Sequence, residues 1–187
     1  MKYIAFFKPY GVLSSFTDPE GRPTVGDFVP VDGVYAAGRL DLKSEGLMLL
    51  TDDGELIHEL THPRYDHPKT YFAQVEGLPT AQEVETLSKG VVISGYHTKP
   101  ADVEIIPEPE LPARPVPVRD YHPTTWLKIV LREGKKHQVR KMTAAVGYPT
   151  LRLVRVAIGP LGLGKMQPGD WRYLRPSEIQ KLKEAGT

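Results

Sequence analysis

The chain has no cysteine among its 187 residues, which removes disulfides, thiolate nucleophiles, iron–sulfur clusters and cysteine-rich zinc sites together. Any chemistry rests on carboxylate, hydroxyl, imidazole or amine groups. Nor does any stretch approach the roughly 18 to 20 uninterrupted apolar residues of a membrane span. The opening MKYIAFFKPYG lacks the basic region and apolar run of a signal peptide, so a cytoplasmic protein is expected. No repeat of solenoid length occurs, and neither a dinucleotide-binding glycine fingerprint nor a P-loop is present. With 40% apolar residues the chain can bury a core, as one domain or as two subdomains around a cleft.

Net charge is also small, +1, but its evenness hides a division. Residues 1–127 hold 11 Lys/Arg against 19 Asp/Glu, while residues 128–175 hold 11 against 2. A basic tract beside an acidic body suits a polyphosphate partner, because each phosphate neutralised releases counterions. A merely solvated basic face is the competing explanation.

What is present reads as strands interleaved irregularly with a few helices. The apolar run 47–50 ends in the turn signal Asp52-Asp53-Gly54 and predicts a buried strand, with a short helix over 55–60. Lys69–Glu76 alternates as a strand with Tyr71, Ala73 and Val75 on one face, and Thr80 with Glu83 forms a capping box opening a helix that ends at Gly90. Short strands are expected within 91–106, then strands over 126–131 and 151–158 flanking a helix from about 136 to 146. Prolines 107, 109, 112, 115 and 117 forbid regular structure and predict a long exposed loop, either functional or a surface excursion. This order predicts an α+β fold around a largely antiparallel mixed sheet, not a regular βαβ array.

Two motifs invite chemistry. Gly38-Arg39-Leu40-Asp41 leads directly into the buried strand, so Asp41 sits in a loop held by a rigid element, where both catalytic residues and ordinary turn residues occur. His58-Glu59-Leu60-Thr61-His62 satisfies the H-E-x-x-H pattern of zinc peptidases. Pro63 biases His62 away from the helical geometry that a zinc pair requires, which argues for no metal.

The segment GRLDLKSEGLMLLTDDG at 38–54 closely resembles the catalytic motif of the RsuA-type family of pseudouridine synthases. KPYGVLSSF at 8–16, KTYFAQVEG at 69–77, LREGKKHQVRKM at 131–142 and VGYPTLRLVRVAIGPL at 146–161 resemble its remaining blocks, in the same order. The resemblance spans nearly the whole chain. It implies the pseudouridine synthase catalytic fold with a central cleft, as a single catalytic domain over 1–187 without an appended N-terminal RNA-binding domain. It further implies isomerisation of a uridine in ribosomal RNA, 23S RNA of the large subunit from the stretch 16–41, with no cofactor and no metal; a monomer is expected. The rival is a non-catalytic factor that binds ribosomal RNA on the same fold.

The resemblance also assigns roles. Asp41 is the essential carboxylate, acting at the sugar or at the base, and Arg140 the fixed cation that keeps it ionised, unless Arg140 binds phosphate instead. Tyr71 stacks on a flipped uracil and offers its hydroxyl, against the alternative of a packing tyrosine. Arg39 fills the space left by the extruded base, or forms a structural salt bridge. Ile158 and Leu161 supply an apolar contact to the base, or fill core. Lys135, Lys136, Lys141, Arg152 and Arg155 form a phosphate-contacting surface. The family commonly has arginine where this chain has Lys135, Lys136, Lys141 and Leu42, which puts the details of RNA contact at those positions in doubt.

Overall fold

The computed structural model describes residues 1–119 and 122–185. In chain order the elements are β1 (Tyr3–Lys8), β2 (Tyr35–Ala36), β3 (Glu45–Thr51), α1 (Gly54–Thr61), β4 (Lys69–Glu76), α2 (Ala81–Lys89), β5 (Val92–Ile93), β6 (Tyr96–His97), β7 (Asp102–Ile106), β8 (Thr124–Leu131), α3 (Gln138–Ala145), β9 (Thr150–Ile158), β10 (Leu161–Gly162), β11 (Trp171–Tyr173) and α4 (Pro176–Glu184). The fold is α+β, as expected, and β3, β4, α1, α2, β8 and β9 lie where the sequence put them. Strand β1, the short β2, β10 and β11 and helix α4 were not anticipated. In β1 a buried Lys8 closes an apolar run, and it is buried along its whole length.

The main sheet runs β11-β1-β3-β9-β4-β8-β7, with β2 paired to β3 and β10 to β9. Every pairing is antiparallel except β3 with β9, which run parallel and meet only at Glu45↔Val154 and Gly46↔Arg155. The sheet is therefore two antiparallel halves joined at a two-residue seam. Both faces are covered. Tyr71, Ala73, Val75, Leu127 and Ile129 pack with Val139 and Met142 of α3 on one side, while Leu47, Leu49, Ile158 and Leu161 pack with Leu56 and Leu60 of α1 and Leu182 of α4 on the other. Burial of β3 on both faces explains its unbroken apolar run.

Side chains hold the seam together where backbone pairing stops. Arg155, 2% exposed, donates from Nε to the Leu47 carbonyl at 2.8 Å and from Nη2 to the Gly38 carbonyl at 3.1 Å. Arg152 of β9 grips Glu45 of β3 through two hydrogen bonds of 3.1 and 3.0 Å. A register shift between Thr70 and Tyr71 sets Tyr71 opposite Arg155, and such bulges re-aim side chains near functional sites.

Helix α3 begins two residues later than expected, because His137 at its N-cap takes left-handed angles, φ 55° and ψ 32°. The Pro-rich segment is mostly exposed yet tied down. Its Pro112 carbonyl accepts from Arg152 at 2.6 Å, and Arg114 lies 4.4 Å from the centre of the Tyr10 ring and donates to the Leu151 carbonyl at 3.2 Å. In the H-E-x-x-H segment α1 stops at Thr61, and His62 is extended (φ −83°, ψ 126°), its Nδ1 accepting from the Arg64 amide at 3.2 Å. Among the described residues no helix is long and apolar enough to cross a membrane.

Candidate active site

A cleft of about 590 Å³ opens beside the seam, lined by Arg39, Asp41, Lys69, Tyr71, Lys135, Lys136, His137, Leu153 and Arg155 among others. Among the described residues, Asp41 is the only carboxylate on its walls, against five Lys or Arg side chains. A negative group in such a setting either neutralises the cations or has its own task.

The Asp41 loop is clamped from below. Ser14 exchanges hydrogen bonds with Leu40, donating to its carbonyl at 2.5 Å and accepting from its amide at 3.0 Å. The Leu42 carbonyl accepts from the Gly11 amide at 2.9 Å and from Lys8 Nζ at 3.3 Å, while the Ser44 amide closes a turn on the Asp41 carbonyl at 3.0 Å. Lys8 is fully buried and also donates to the carbonyls of Val12 at 2.6 Å and Pro9 at 3.0 Å. Thus the first block of the sequence folds under the second and fixes where Asp41 stands.

Burial draws Lys8 from an ordinary value near 10.5 down to about 8, although Glu45 and Asp41 favour its charge. The folded chain therefore releases this proton before the unfolded chain does. Below pH 8 both states carry the charge and its burial opposes folding; between about pH 8 and 10.5 that opposition fades. Stability in urea is expected to rise over this interval, with Lys8 contributing up to about 3 kcal/mol. In Lys8→Met the rise should shrink.

Above the cleft, His137 Nε2 stands 3.3 Å from Asp41 Oδ1. A left-handed backbone is unfavourable for a residue with a Cβ, and it persists only where the surroundings impose it. Here the surroundings are a buried network around Glu133. Its carboxylate accepts from Tyr96 Oη at 2.5 Å, from the Lys99 amide at 2.7 Å and from Gln138 Nε2 at 3.0 Å, and Gln138 Oε1 accepts from the Lys135 amide at 3.0 Å. Lys135 lies 4.5 Å from the Tyr96 ring centre. The β8–α3 connection is thereby held rigid with His137 aimed at Asp41.

Several expected site residues stand elsewhere. Arg140 does not touch the Asp41 carboxylate; its guanidinium donates to the carbonyls of Lys43 at 3.3 Å and Thr150 at 3.4 Å and to Ser44 Oγ at 3.5 Å. It braces the loop that carries Asp41, and burial lowers its pKa while Asp41 supports its charge through space. Arg152 is engaged inside the sheet, and Arg155, although it lines the cleft, is likewise held there rather than displayed to solvent, because the seam needs donors where strand pairing ends. Lys141 donates to Ser94 at 3.2 Å, away from the cleft. Ile158 and Leu161 are buried in the α1/α4 core instead of lining the cleft, since they pair with each other across the β9–β10 turn. Leu131, Val139 and Leu153 form the apolar wall in their place. Arg39, Lys135 and Lys136 are exposed at the rim, and Tyr71 is 9% exposed at the floor.

Sequence reasoning missed Lys8, Lys69, Glu133 and His137. The one signal for His137 was its place between a glycine-containing turn and a helix.

Residues 2–145 match the RNA pseudouridylate synthase family. The ribosomal large subunit pseudouridine synthase E of Vibrio vulnificus is 55% identical over 175 residues, covering 92% of this chain and 75% of that protein. Its counterpart in Xanthomonas campestris pv. campestris is 52% identical over 170 residues, with 88% and 91% covered. A crystal structure of a pseudouridylate synthase superposes with TM-score 0.82 at 31% identity, over 97% of this chain and 73% of the other. A more distant likeness, to an H/ACA ribonucleoprotein bound to a substrate RNA containing 2′-deoxyuridine (TM-score 0.59, 16% identity), speaks for the fold alone. Five sequence blocks, the sheet with its seam and these relatives agree: the chain belongs to the RNA pseudouridylate synthase family, in its RsuA-type branch, and is a pseudouridine synthase.

Proposed function

We propose that this enzyme isomerises one uridine of large-subunit ribosomal RNA, 23S RNA in bacteria, with Asp41 as the catalytic carboxylate. The observation that carries this reading is the lone carboxylate of a cleft whose floor holds Tyr71 and whose rim is cationic. The names of the relatives supply the class of RNA.

The reaction breaks the N1–C1′ bond, turns the base and rejoins it through C5. It involves no redox change, so no cofactor is required. A uridine within folded RNA must leave its stack to reach the floor, and Arg39 at the rim is placed to occupy the gap. Tyr71 offers its ring to the base. Lys135 and Lys136 meet the phosphates on either side, positioning the RNA without reading sequence.

His137 positions the Asp41 carboxylate. In His137→Gly the contact is lost while the left-handed backbone becomes unstrained. The expected outcome is a melting temperature equal to or above wild type with single-turnover rate reduced roughly 10- to 100-fold, the scale of a misplaced reacting group.

The reading is tested by incubating purified protein with unmodified 23S and 16S RNA, free and in ribosomal particles, followed by carbodiimide-dependent primer-extension mapping. One new stop on 23S RNA and none on 16S RNA is expected. No stop on any of them would overturn it.

A further inference from the structure

Among the described residues, Lys69 is the one buried cation of the cleft with no hydrogen-bond or ion-pair partner. It belongs to β4, two residues before Tyr71 on the same face, and it lines the cleft with Tyr71 and Arg155. It is 7% exposed, yet its ammonium makes no hydrogen bond and no ion pair among the described residues. The contrast with Lys8 is direct, since that lysine, fully buried, is satisfied by three carbonyls, whereas the Lys69 ammonium reaches only the open cleft. Burying an unpaired charge opposes folding by several kcal/mol in general, and proteins neutralise or pair such groups. Arg155 nearby adds repulsion, and burial followed by Arg155 draws Lys69 down to about 8. Lys69 is thus a cation held ready for an anion that arrives from outside.

Depth selects among anions. Arg39, Lys135 and Lys136 meet solvent at the rim, where an RNA backbone passes, while Lys69 and Tyr71 share the floor. A nucleotide extruded into the cleft brings its base to the floor and leaves its phosphates at the rim. An intact uracil is neutral. When the N1–C1′ bond breaks, however, the bonding pair departs with the base, and the uracil becomes an anion with charge shared by N1, O2 and O4. The same electrons later form the C5–C1′ bond; C5 then loses its proton and N1 gains one, so the product is an isomer of the substrate. We propose that Lys69 is a catalytic residue that pairs through its ammonium with the detached uracil anion, stabilising the charge that exists only between bond cleavage and bond formation.

This inference rests on the pseudouridylation reading above. A preplaced donor aimed at developing charge typically accelerates reaction by roughly 10²- to 10³-fold. Lys69→Met should therefore convert uridine to pseudouridine at least about 100-fold more slowly in single turnover, with RNA affinity within twofold of wild type. Lys69→Arg should recover part of the rate. Because the variant removes a largely desolvated charge that has no protein partner, Lys69→Met should melt at or above the wild-type temperature, which shows that the slow variant is folded. A wild-type rate in Lys69→Met overturns the proposal. So does an unchanged rate at saturating RNA with weakened affinity and a salt dependence lowered by about one phosphate contact, which assigns Lys69 to the backbone. If wild type itself makes no pseudouridine, the underlying reading fails instead.

Discussion

Asp41→Asn is expected to bind RNA at least as tightly as wild type and to convert no measurable uridine. Asparagine has the shape of aspartate, and the fixtures of the loop are main-chain or distant groups: Ser14 on Leu40, Lys8 and Gly11 on Leu42, Arg140 on Lys43 and Ser44. The substitution leaves the scaffold in place and removes one negative charge from a cleft lined by five cations. Affinity for a polyanion then holds or rises, because the lost carboxylate opposed it. Turnover behaves oppositely, since an amide neither attacks carbon nor balances the positive charge that develops at C1′. Loss of an essential nucleophile or charge stabiliser lowers rate on the order of 10⁴-fold or more. Filter binding at fixed salt and single-turnover conversion of 23S RNA separate the two effects. A residual rate within tenfold of wild type would remove Asp41 from the chemistry.

The second large effect is on folding. Gly46→Ala places a methyl group 2.2 Å from the Arg155 carbonyl oxygen and 2.7 Å from the Arg155 amide nitrogen, at a φ of +114° that residues with a Cβ rarely adopt. Both obstacles are backbone, and both strands are pinned by their outer neighbours, β1 and β4. The seam has no room to yield. A loss of more than about 4 kcal/mol, the range reserved for severe core or backbone conflicts, is expected. It would appear as insoluble protein or a sharply lowered urea midpoint. Gly134→Ala is the matched control: it lies on the cleft but its added methyl meets nothing within 4 Å, so stability should stay close to wild type.

Local signals carried the fold a long way. The run 47–50, the alternation of Lys69–Glu76 and the Thr80/Glu83 capping box each have a short-range cause, and each element lies where that cause put it. The strand β1 escaped notice because its last residue is a lysine, and a lysine caged by three carbonyls is a tertiary event. Arg155 shows the same difficulty more sharply. In TLRLVRVAI the arginines look like the polar positions of a half-exposed strand, but the partners that bury them, Leu47, Gly38 and Glu45, are supplied across the seam. No periodicity encodes where a sheet divides.

The site was legible in a different proportion. The cleft gathers Asp41, Tyr71, Arg39, Lys135 and Lys136 from three separate blocks of the sequence. The partner of Asp41 was not legible, because the helix of the HQVR block starts after a left-handed residue and that single turn brings His137, not Arg140, against the carboxylate. Sequence spacing alone would place His137 and Arg140 on one continuous helix. Only the angles of one residue decide between them.

The seam also bears on how the chain comes to its native state. Its contacts join residues far apart in sequence, such as Arg155 and Leu47 across 108 positions, and nothing local substitutes for them. Domains dominated by such pairings fold slowly, on a scale of roughly milliseconds to seconds, because the intervening chain must be ordered before the contact forms. The antiparallel pair of β1 and β3 is present in the chain early, but its open side awaits β9, one of the last strands to be synthesised. A nascent chain halted before residue 150 therefore carries Asp41 with nothing to join its half of the sheet to the half that holds Tyr71.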